Sequence, residues 1–249
     1  MKKVAILQAR VDSSRLPAKV LKPLAGRPVI LHIIDRLKRC KTLDEVCVAI
    51  PDSPSDDVLM DVVKETGVTI ARGSGHDVLS RYIAAAYQTG ADVIVRATGD
   101  NPLVHPASID AQVEHIEANP SVDYVTTWGL PLGCMAETFT RKTLERLDFL
   151  AKSDILREHV TYFIYQNGHP FNIADLEPPA GLRHPELRLT LDTEEDLRLI
   201  TAVYDSLHKD GEVVSLDDVV ELLQSNPALV QTNAHIVQVP PVGAALVRH

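Results

Sequence analysis

Basic and hydroxyl side chains are concentrated in one short segment of the 249-residue chain, residues 8–19. The segment reads Gln8-Ala9-Arg10-Val11-Asp12-Ser13-Ser14-Arg15-Leu16-Pro17-Ala18-Lys19. Arginine can bind phosphate through two parallel hydrogen bonds, and lysine acts as a compact positive charge, so the segment could wrap a polyphosphate. It lacks the glycines of a P-loop or of a dinucleotide-binding turn. The residues alone are compatible with a phosphate-binding loop and with a basic surface loop.

Two aspartates, Asp100 and Asp192, come shortly after apolar segments that read as strands. Ligands of open parallel sheets bind at the carboxyl ends of strands, which here are the loops after Ala9, Ile50, Ala97 and Thr190. An aspartate at such a place can hold a divalent cation on a rigid scaffold. Asp100 also fits a turn beside glycine and proline, and the residues that follow Asp192 fit an acidic, capped helix start, so the structural alternatives stay open.

Thr193 and Asp196 have the spacing of a helix capping box. Acidic residues in a first helical turn also complement the positive end of the helix dipole, which accounts for Glu194 and Glu195. Capping therefore explains the residues after Asp192 but leaves Asp192 itself unexplained.

The charge distribution limits the classes of ligand. A formal net charge of −9 and a pI of about 5.5 argue against general nucleic-acid binding. Between Met1 and Lys41, however, lysine and arginine outnumber the only two acids, Asp12 and Asp35. A local basic site in an acidic protein favours a small anion over a polyanion, and phosphate is the first candidate.

The cellular compartment follows from the cysteines and the apolar runs. Cys40, Cys47 and Cys134 form no CxxC pair and suit a reducing compartment. The apolar opening, Val4 to Ala9, is too short for a signal-peptide core or a membrane span. We expect a cytoplasmic protein without a membrane partner.

Short apolar runs alternate with amphipathic stretches, a pattern typical of a parallel sheet covered by helices on both faces. The predicted strands are Val4–Leu7, Val46–Ile50, Val68–Ala71, Asp92–Ala97, Tyr124–Thr127, Phe171–Ala174, Arg188–Thr190 and His235–Val239. The predicted helices are one starting at Gly26 to Pro28, one capped by Ser55, and Asp77–Gln88, Pro106–Ala118, Arg141–Leu150, Asp154–Tyr165, Thr193–Leu207 and Leu216–Leu223. The sequence therefore predicts an α/β fold of three layers.

The domain organisation is read from where this alternation weakens. We expect one domain over residues 1–225, followed by a tail over residues 226–249. The segment 124–174 interrupts the regular pattern and carries Trp128, Phe139 and Phe163 in a chain with few aromatic residues. Large apolar groups outside the main core mark interfaces, so this segment is predicted to form a small inserted lobe and the contact of a homodimer.

Several separated motifs carry a resemblance to a known family. The first loop fits AR-x-x-S-x-R-L-P-x-K, and four later segments fit DVLxRY, RxTGDxP, REHVT and LDTxEDL, in residues 77–82, 96–102, 157–161 and 191–197. With these motifs in this order, the chain resembles the cytidylyltransferase superfamily that activates acidic sugars. Within that superfamily it is most similar to the branch related to the spore coat polysaccharide biosynthesis protein SpsF.

The resemblance implies a Rossmann-like nucleotidyltransferase fold and the transfer of CMP from CTP to an acceptor oxygen, with release of pyrophosphate. It implies that Arg10, Arg15 and Lys19 neutralise the reacting phosphates, and that Asp100 and Asp192 together hold Mg²⁺. The residues implied to bind the nucleotide are Ala9, Ser13, Ser14, Ser74, Asp77, Arg81 and Arg96, with the base near Ser74, Asp77 and Arg81.

The acceptor is expected to be a small acid, held by Glu137, Arg157, His159 and Arg188. The segment Pro131 to Phe139 keeps the frame of a family motif, P-x-G-x-x-x-E-x-F, but its interior is apolar. If this loop lines the acceptor pocket, it favours an acid with fewer hydroxyl groups than a nine-carbon sugar acid. Two alternatives are a glycosyltransferase that uses nucleotide sugars and a catalytically silent nucleotide-binding partner.

Overall fold

The computed structural model describes residues 1–165 and 170–238. The strands are β1 (Lys3–Gln8), β2 (Pro23–Leu24), β3 (Arg27–Pro28), β4 (Glu45–Pro51), β5 (Thr69–Gly73), β6 (Val93–Thr98), β7 (Tyr124–Thr127), β8 (Glu137–Thr140) and β9 (Ile173–Leu176). The α-helices are α1 (Val29–Leu37), α2 (Asp57–Lys64), α3 (Val78–Thr89), α4 (Pro106–Ala118), α5 (Arg141–Leu150), α6 (Asp154–Glu158), α7 (Glu194–Leu207), α8 (Leu216–Ser225) and α9 (Pro227–Val230). Short 3-10 helices cover Lys19–Leu21, Pro54–Asp56, Tyr162–Tyr165 and Ala180–Leu182.

Seven strands form one sheet in the order β5-β4-β1-β6-β8-β7-β9. Strand β1 pairs in parallel with β4 and β6, and β4 pairs in parallel with β5. Strand β8 runs antiparallel to both of its neighbours, β6 and β7, while β9 is parallel to β7. The sheet is therefore mostly parallel, and β1 lies inside it with an apolar sequence on both faces, as a doubly covered strand requires.

Helices cover both faces of the sheet. Ala5 and Leu7 of β1 point to a core that includes apolar residues of α1, α2, α4, α7 and α8. The alternate residues, Val4 and Ile6, point to a second core with α3 and α5. This alternation follows from the two-residue period of a strand and confirms the predicted three-layer α/β fold.

The chain reverses direction across the sheet at β1. It passes from β1 outward to β4 and β5, then returns to place β6 on the other side of β1. The loops after β1 and β6 therefore leave from adjacent strand ends at a topological switch point, where α/β sheets bind ligands. The basic loop and Asp100 meet here.

The segment 124–174 adds three strands, β7, β8 and β9, to the same sheet. Phe139 is fully buried and Phe163 packs against the core of α3 and α5, whereas Trp128 is 49% exposed. The segment expected as an inserted lobe is thus continuous with the main sheet, because β8 pairs with β6 and β7 pairs with β8. Dimerisation through it stays a prediction, which now depends on Trp128 rather than on all three aromatic residues.

Several predicted elements differ in their bounds. The helix expected over Asp154–Tyr165 breaks after α6, because Val160 takes a left-handed conformation with φ of 49°. Arg188–Thr190 makes only an isolated bridge, from Leu132 to Arg188, and is not a strand. Strand β8 was missed because four residues with one buried pair give a weak pattern.

Two further predictions concern helix α2 and the tail. Ser55 does not cap α2: it lies inside a 3-10 turn, and α2 begins at Asp57. The strand expected over His235–Val239 is not found in its described part, residues 235–238, and Val239 lies outside the described residues. The described tail instead packs on the domain, with Leu229 and Val230 against the core.

No helix in residues 1–165 and 170–238 is both long and apolar enough to span a bilayer. The three cysteines are free and buried, and burial raises the pKa of each thiol to about 12. These cysteines are therefore packing residues rather than reactive thiols.

Gly133 lets two loops approach each other near the strand ends. Its φ is 96°, and a Cβ atom at this position would lie 2.4 Å from the backbone nitrogen of Thr190. The contact fixes the segment that leads from Arg188 to Asp192, since Leu132 also bridges to Arg188.

We predict that Gly133→Ala lowers the free energy of unfolding by about 3 kcal/mol or more, because backbone strain adds to a clash with backbone atoms. Gly67→Ala is the matched control: its φ is 69°, but no atom lies within 4 Å of the added Cβ. The control should lose only about 1–2 kcal/mol. Urea denaturation measures both, and equal losses would contradict the role of the contact.

Candidate active site

A cleft of about 340 Å³ opens at the carboxyl ends of β1 and β6. Its wall includes most of the chemistry-bearing residues predicted from the sequence. Those predicted residues are Ala9, Arg10, Ser13, Ser14, Arg15, Lys19, Arg81, Arg96, Asp100, His159 and Asp192. Gln8, Asp12, Thr98 and Glu158 line it as well.

The basic loop is held in place by its backbone and by one apolar anchor. The N–H of Val11 donates to Asp56 Oδ1 at 2.7 Å, and the N–H of Ala18 donates to the carbonyl of Val11 at 3.1 Å. The side chain of Leu16 is fully buried in the core. Arg10, Ser14 and Arg15 remain exposed between these fixed points, so the polar side chains of the loop face the cleft.

Asp56 was not predicted from the sequence as a residue that supports the site. The residue is buried, and its carboxylate accepts from the loop. No local signal distinguishes this use from helix capping, because the partner, Val11, is 45 residues away.

Lys19 lies between the two predicted metal ligands. Its Nζ is 2.9 Å from Asp100 Oδ2 and 2.9 Å from Asp192 Oδ1. Burial lowers the pKa of Lys19, but the two carboxylates outweigh this effect and raise it overall. The ammonium group therefore stays charged at neutral pH and neutralises part of the negative charge that Asp100 and Asp192 bring together.

Asp192 is almost fully buried and has two further cationic neighbours. Arg15 Nη2 lies 3.1 Å from its Oδ1, and Arg188 Nη2 lies 3.3 Å from its Oδ2. The capping box of α7 is formed by Thr193 and Asp196, as predicted, so the Asp192 carboxylate takes no part in it. Its carboxylate faces Lys19 and the cleft.

Asp100 is positioned by the end of β6. Thr98 Oγ1 donates to its Oδ1 at 2.6 Å, and Lys19 donates to its Oδ2. Burial raises the pKa of Asp100, but Lys19 and Thr98 outweigh it and lower the pKa overall. Both aspartates thus direct carboxylate oxygens to the same positively charged group.

This donor set fits a hard divalent cation. Mg²⁺ is commonly held by one or two carboxylates together with phosphate oxygens of a substrate. Among residues 1–165 and 170–238, no group of three or more His, Cys, Asp or Glu side chains is arranged to hold a metal ion. A cation at Asp100 and Asp192 would therefore need oxygens from a ligand to complete its coordination.

Three buried polar atoms of the cleft residues have no hydrogen-bond partner in the described part of the chain. They are Gln8 Oε1, Arg81 Nε and Arg96 Nε. Buried polar groups are normally paired, so each of these three atoms keeps an unused capacity for a hydrogen bond in a residue that lines the cleft. Both arginines were predicted from the sequence as site residues, whereas Gln8, the last residue of β1, was not.

Ser74 and Asp77 do not line the cleft, although both were predicted to bind the nucleotide. Asp77 Oδ1 accepts from the N–H of Ser80 at the start of α3, and Asp77 Oδ2 accepts from Arg157 Nε at 2.6 Å. Ser74 Oγ accepts from the N–H of Asp77, and its carbonyl accepts from Arg81 Nη1. These residues hold Arg81 and the start of α3 in place rather than facing the cleft.

Three of the four predicted acceptor residues also lie behind the wall. Arg157 is tied to Asp77 and Asp148, and Arg188 is buried beneath Asp192. Glu137 binds Arg96 Nη1 at 2.5 Å and accepts from the hydroxyl group of Tyr124 at 2.7 Å. Each of these side chains is used by another protein group, so only His159 reaches the cleft.

His159 faces the cleft because the chain turns sharply behind it. Val160, in its left-handed conformation, is fully buried, which turns the preceding residue outward. Burial lowers the pKa of His159, and Arg96 and Arg10 act in the same direction, against Glu158. The imidazole is therefore neutral at neutral pH.

The apolar loop, Leu130 to Ala136, does not line the cleft. Leu130, Cys134 and Ala136 are buried in the main core. The apolar residues of this loop pack the domain, because Gly133 brings it against Thr190. The expectation of an acceptor with few hydroxyl groups therefore loses its basis.

A family model described as cytidylyltransferase matches residues 4–234 of the chain. The spore coat polysaccharide biosynthesis protein SpsF of Bacillus subtilis is 34% identical over 230 residues, which cover 89% of this chain and 94% of that protein. The 3-deoxy-manno-octulosonate cytidylyltransferase of Geobacter sulfurreducens is 35% identical over 120 residues, less than half of either chain. The structure of a cytidylyltransferase from Leptospira borgpetersenii matches with a TM-score of 0.86 and 29% identity, covering 96% of this chain and 99% of that one. These matches confirm the resemblance inferred from the motifs.

We predict that Glu137→Gln lowers the free energy of unfolding by about 3–5 kcal/mol at pH 7, because it leaves the buried charge of Arg96 unpaired. Arg96 and the hydroxyl donors outweigh the effect of burial and lower the pKa of Glu137 below its usual 4.5. A lowered pKa stabilises the fold above pH 4.5, and this contribution is lost as the pH falls through the folded-state pKa.

Denaturation as a function of pH measures this difference. The difference in the free energy of unfolding between wild type and Glu137→Gln should become smaller as the pH falls below 4.5. The exposed residue Glu114 provides the control, since Glu114→Gln should change stability by less than about 0.5 kcal/mol. A gap that does not depend on pH would contradict the ion-pair assignment.

Proposed function

The chain belongs to the cytidylyltransferase family, and we propose that it transfers CMP from CTP to an oxygen of an acidic acceptor and releases pyrophosphate. One observation carries the proposal: three cations of the first loop and two aspartates, Asp100 after β6 and Asp192 before α7, line a single cleft at the switch point of the sheet. Phosphoryl transfer needs this combination of positioned positive charge and carboxylates for a divalent cation.

The reaction forms a bond from the acceptor oxygen to the α-phosphorus of CTP and breaks the bond from that phosphorus to the bridging oxygen of the leaving pyrophosphate. Negative charge increases on the leaving group as this bond breaks. Arg10, Arg15 and Lys19 line the cleft as donors for that charge, and positive charge placed in this way provides much of the catalysis in such transfers.

Asp100 and Asp192 would hold Mg²⁺, which when bound neutralises charge on the phosphate oxygens. Lys19 keeps the two carboxylates together before ligands bind. Its ammonium group can also donate to a phosphate oxygen that binds beside Asp100 and Asp192. Arg188, beneath Asp192, pairs with that carboxylate through Nη2, which lies 3.3 Å from Oδ2, and holds it at the cleft.

The nucleotide base is proposed to bind near the unpartnered atoms. Cytosine presents an amino group that donates and ring atoms that accept hydrogen bonds. Gln8 Oε1 is an acceptor, and Arg81 Nε and Arg96 Nε are donors, so the buried wall offers both kinds of partner. Arg81 is held by the carbonyl of Ser74 and Arg96 by Glu137, which restricts both guanidinium groups.

The acceptor is proposed to be an acid that binds beside His159 and Arg10. Arg10 is paired only loosely, with Nη2 lying 3.6 Å from Glu158 Oε1, and its side chain is 47% exposed. It can therefore turn to an acceptor carboxylate. Because the apolar loop belongs to the core, it sets no limit on the number of hydroxyl groups of the acceptor, and sugar acids stay within the proposal.

Residues 1–225 are proposed to form the catalytic domain of a cytoplasmic homodimer, with the segment 124–174 contributing the dimer contact and part of the acceptor side. CTP and the acid are its proposed partners, and neither a nucleic acid nor a membrane is included. The exposed side chain of Trp128 supports the dimer contact.

The proposed function is tested by pyrophosphate release. CTP, UTP, ATP and GTP are each incubated with Mg²⁺ and a panel of sugar acids and short phosphorylated or phosphonylated acids. Release with CTP and one acid supports the proposal. Transfer of a sugar from a nucleotide sugar, without pyrophosphate, would indicate the glycosyltransferase alternative, and the absence of both would indicate a nucleotide-binding partner without catalysis.

We predict that Asp100→Asn and Asp192→Asn each abolish most of the Mg²⁺-dependent turnover, because a neutral amide is a poor ligand for a hard divalent cation. Asp218→Asn, which changes an acid in the first turn of α8, is the matched control for helix-end electrostatics and should keep full activity. Initial rates over a range of Mg²⁺ concentrations measure this. If Asp192→Asn keeps the wild-type rate, Asp192 does not belong to the site.

We also predict that Arg15→Ala weakens CTP binding by about 1.5–3 kcal/mol, the range for a hydrogen bond to a charged group. Its side chain is 53% exposed, so the fold should keep its stability. Lys19→Ala should weaken CTP binding similarly and also destabilise the protein, because it leaves Asp100 and Asp192 facing each other.

Calorimetric titration with CTP measures the affinities, and thermal melting measures the stabilities. Arg27→Ala is the control, because Arg27 pairs with Asp35 and does not line the cleft. Unchanged CTP affinity in both loop variants would contradict the phosphate-binding role of the loop.

A further inference from the structure

Asn233 is buried in a part of the chain that is otherwise largely exposed. Its side chain is only 2% exposed, whereas the neighbouring residues Ala234 and His235 are exposed. The residue comes after α9, in the tail that the motifs of the sequence do not cover. It does not line the cleft.

Both hydrogen bonds of the Asn233 amide go to one buried ion pair. Nδ2 donates to Asp196 Oδ1 at 2.8 Å and to the carbonyl of Arg188 at 3.0 Å. Arg188 in turn binds Asp196 through two parallel hydrogen bonds, Nε to Oδ1 at 2.8 Å and Nη2 to Oδ2 at 2.9 Å. Asn233 thus contacts both members of the pair, one through its side chain and one through its backbone.

The ion pair lies directly behind Asp192. Arg188 Nη2 is 3.3 Å from Asp192 Oδ2, and Asp196 Oδ2 accepts from the backbone N–H of Asp192 at 3.0 Å. The side chain and the backbone of Asp192 are therefore both held by groups that Asn233 contacts. A rotation of the Asp196 carboxylate would move the guanidinium group of Arg188 and with it the Asp192 carboxylate.

The Asp196 carboxylate accepts more hydrogen bonds than are needed to compensate its negative charge. Its Oδ2 accepts from Arg188 and from the N–H groups of Asp192 and Thr193, while its Oδ1 accepts from Arg188 and Asn233. Arg188 and the two backbone groups already pair the charge. The donor from Asn233 therefore fixes the plane of the carboxylate on the side that faces the tail.

We propose that Asn233 is a positioning residue for Asp192, acting through Asp196 and Arg188. The inference depends on the proposed role of Asp192 as a ligand of the divalent cation. It makes the tail part of the active site, although no tail residue in positions 226–238 lines the cleft.

The test compares Asn233→Asp, which keeps the shape but replaces the donor by a carboxylate, with Asn233→Ala, which removes the donor without adding charge. Asn226→Asp is the matched control: Asn226 lies in the same tail, and its amide donates to the carbonyl of Leu222 on the surface. Binding of Mn²⁺ in the presence of CTP is measured by electron paramagnetic resonance on the full chain, without turnover. Thermal melting confirms that each variant is folded.

We expect the dissociation constant for Mn²⁺ to rise about tenfold in both Asn233 variants, the lower end of the range for removing a direct partner of a metal ligand, because Asn233 acts through Asp196 and Arg188. CTP binding in EDTA should be unchanged. In the steady state, the Mg²⁺ concentration for half-maximal rate should rise while kcat at saturating Mg²⁺ stays within about twofold to threefold of wild type. A merely structural role would lower the active fraction without changing the half-saturating concentration.

If a folded Asn233 variant binds Mn²⁺ with wild-type affinity, or if Asn226→Asp loses as much Mn²⁺ affinity as the Asn233 variants, the role of Asn233 is wrong. The proposed function is not affected by that result. Asp192→Asn is measured beside them. If wild type and Asp192→Asn bind Mn²⁺ equally, the proposed metal site is wrong and the inference fails with it, which separates the two failures.

Discussion

Two carboxylates at neighbouring loop ends must be held together against their mutual repulsion, and Lys19 makes this possible. Its ammonium group lies at equal distances from Asp100 and Asp192, 2.9 Å from each. Asp100 follows β6, whereas Asp192 precedes α7, so only the tertiary fold places them in one cleft. Burial raises the pKa of Asp100, and Lys19 offsets this effect, so without the ammonium group burial would favour the protonated form of Asp100, which is a poor ligand for a divalent cation.

Other groups that face the cleft are also held by partners of opposite charge, which lie behind them in the protein. Arg96 is backed by Glu137, the basic loop by Asp56, and Asp192 by the pair of Arg188 and Asp196. In each case a group that faces the cleft is fixed by a buried partner that does not face it. Such support limits the movement of charges that a reaction would otherwise have to reorganise.

Several residues expected to touch ligands belong to this supporting layer. Ser74, Asp77, Glu137, Arg157 and Arg188 all occur in or near recognisable motifs, yet the structure uses each to hold another residue in place. The motifs therefore identified the part of the chain that forms the site, but not which of their residues line the cleft and which lie behind the lining residues. Packing decides which residues line the cleft. Val160, for example, is fully buried, and the neighbouring His159 lines the cleft.

The sequence by itself determined the α/β class, the first four parallel strands, the capping box of α7 and the position of the basic loop. These features have local causes, because the two-residue period of a strand, the 3.6-residue period of a helix and the preferences of capping residues are encoded within about ten positions. Only the tertiary structure decided that β8 joins the sheet, that Leu130 to Ala136 packs in the core, and that Asn233 supports the ion pair behind Asp192. These depend on contacts such as Lys19 to Asp192, across 173 residues, where burial and charge pairing select partners that no spacing in the sequence specifies.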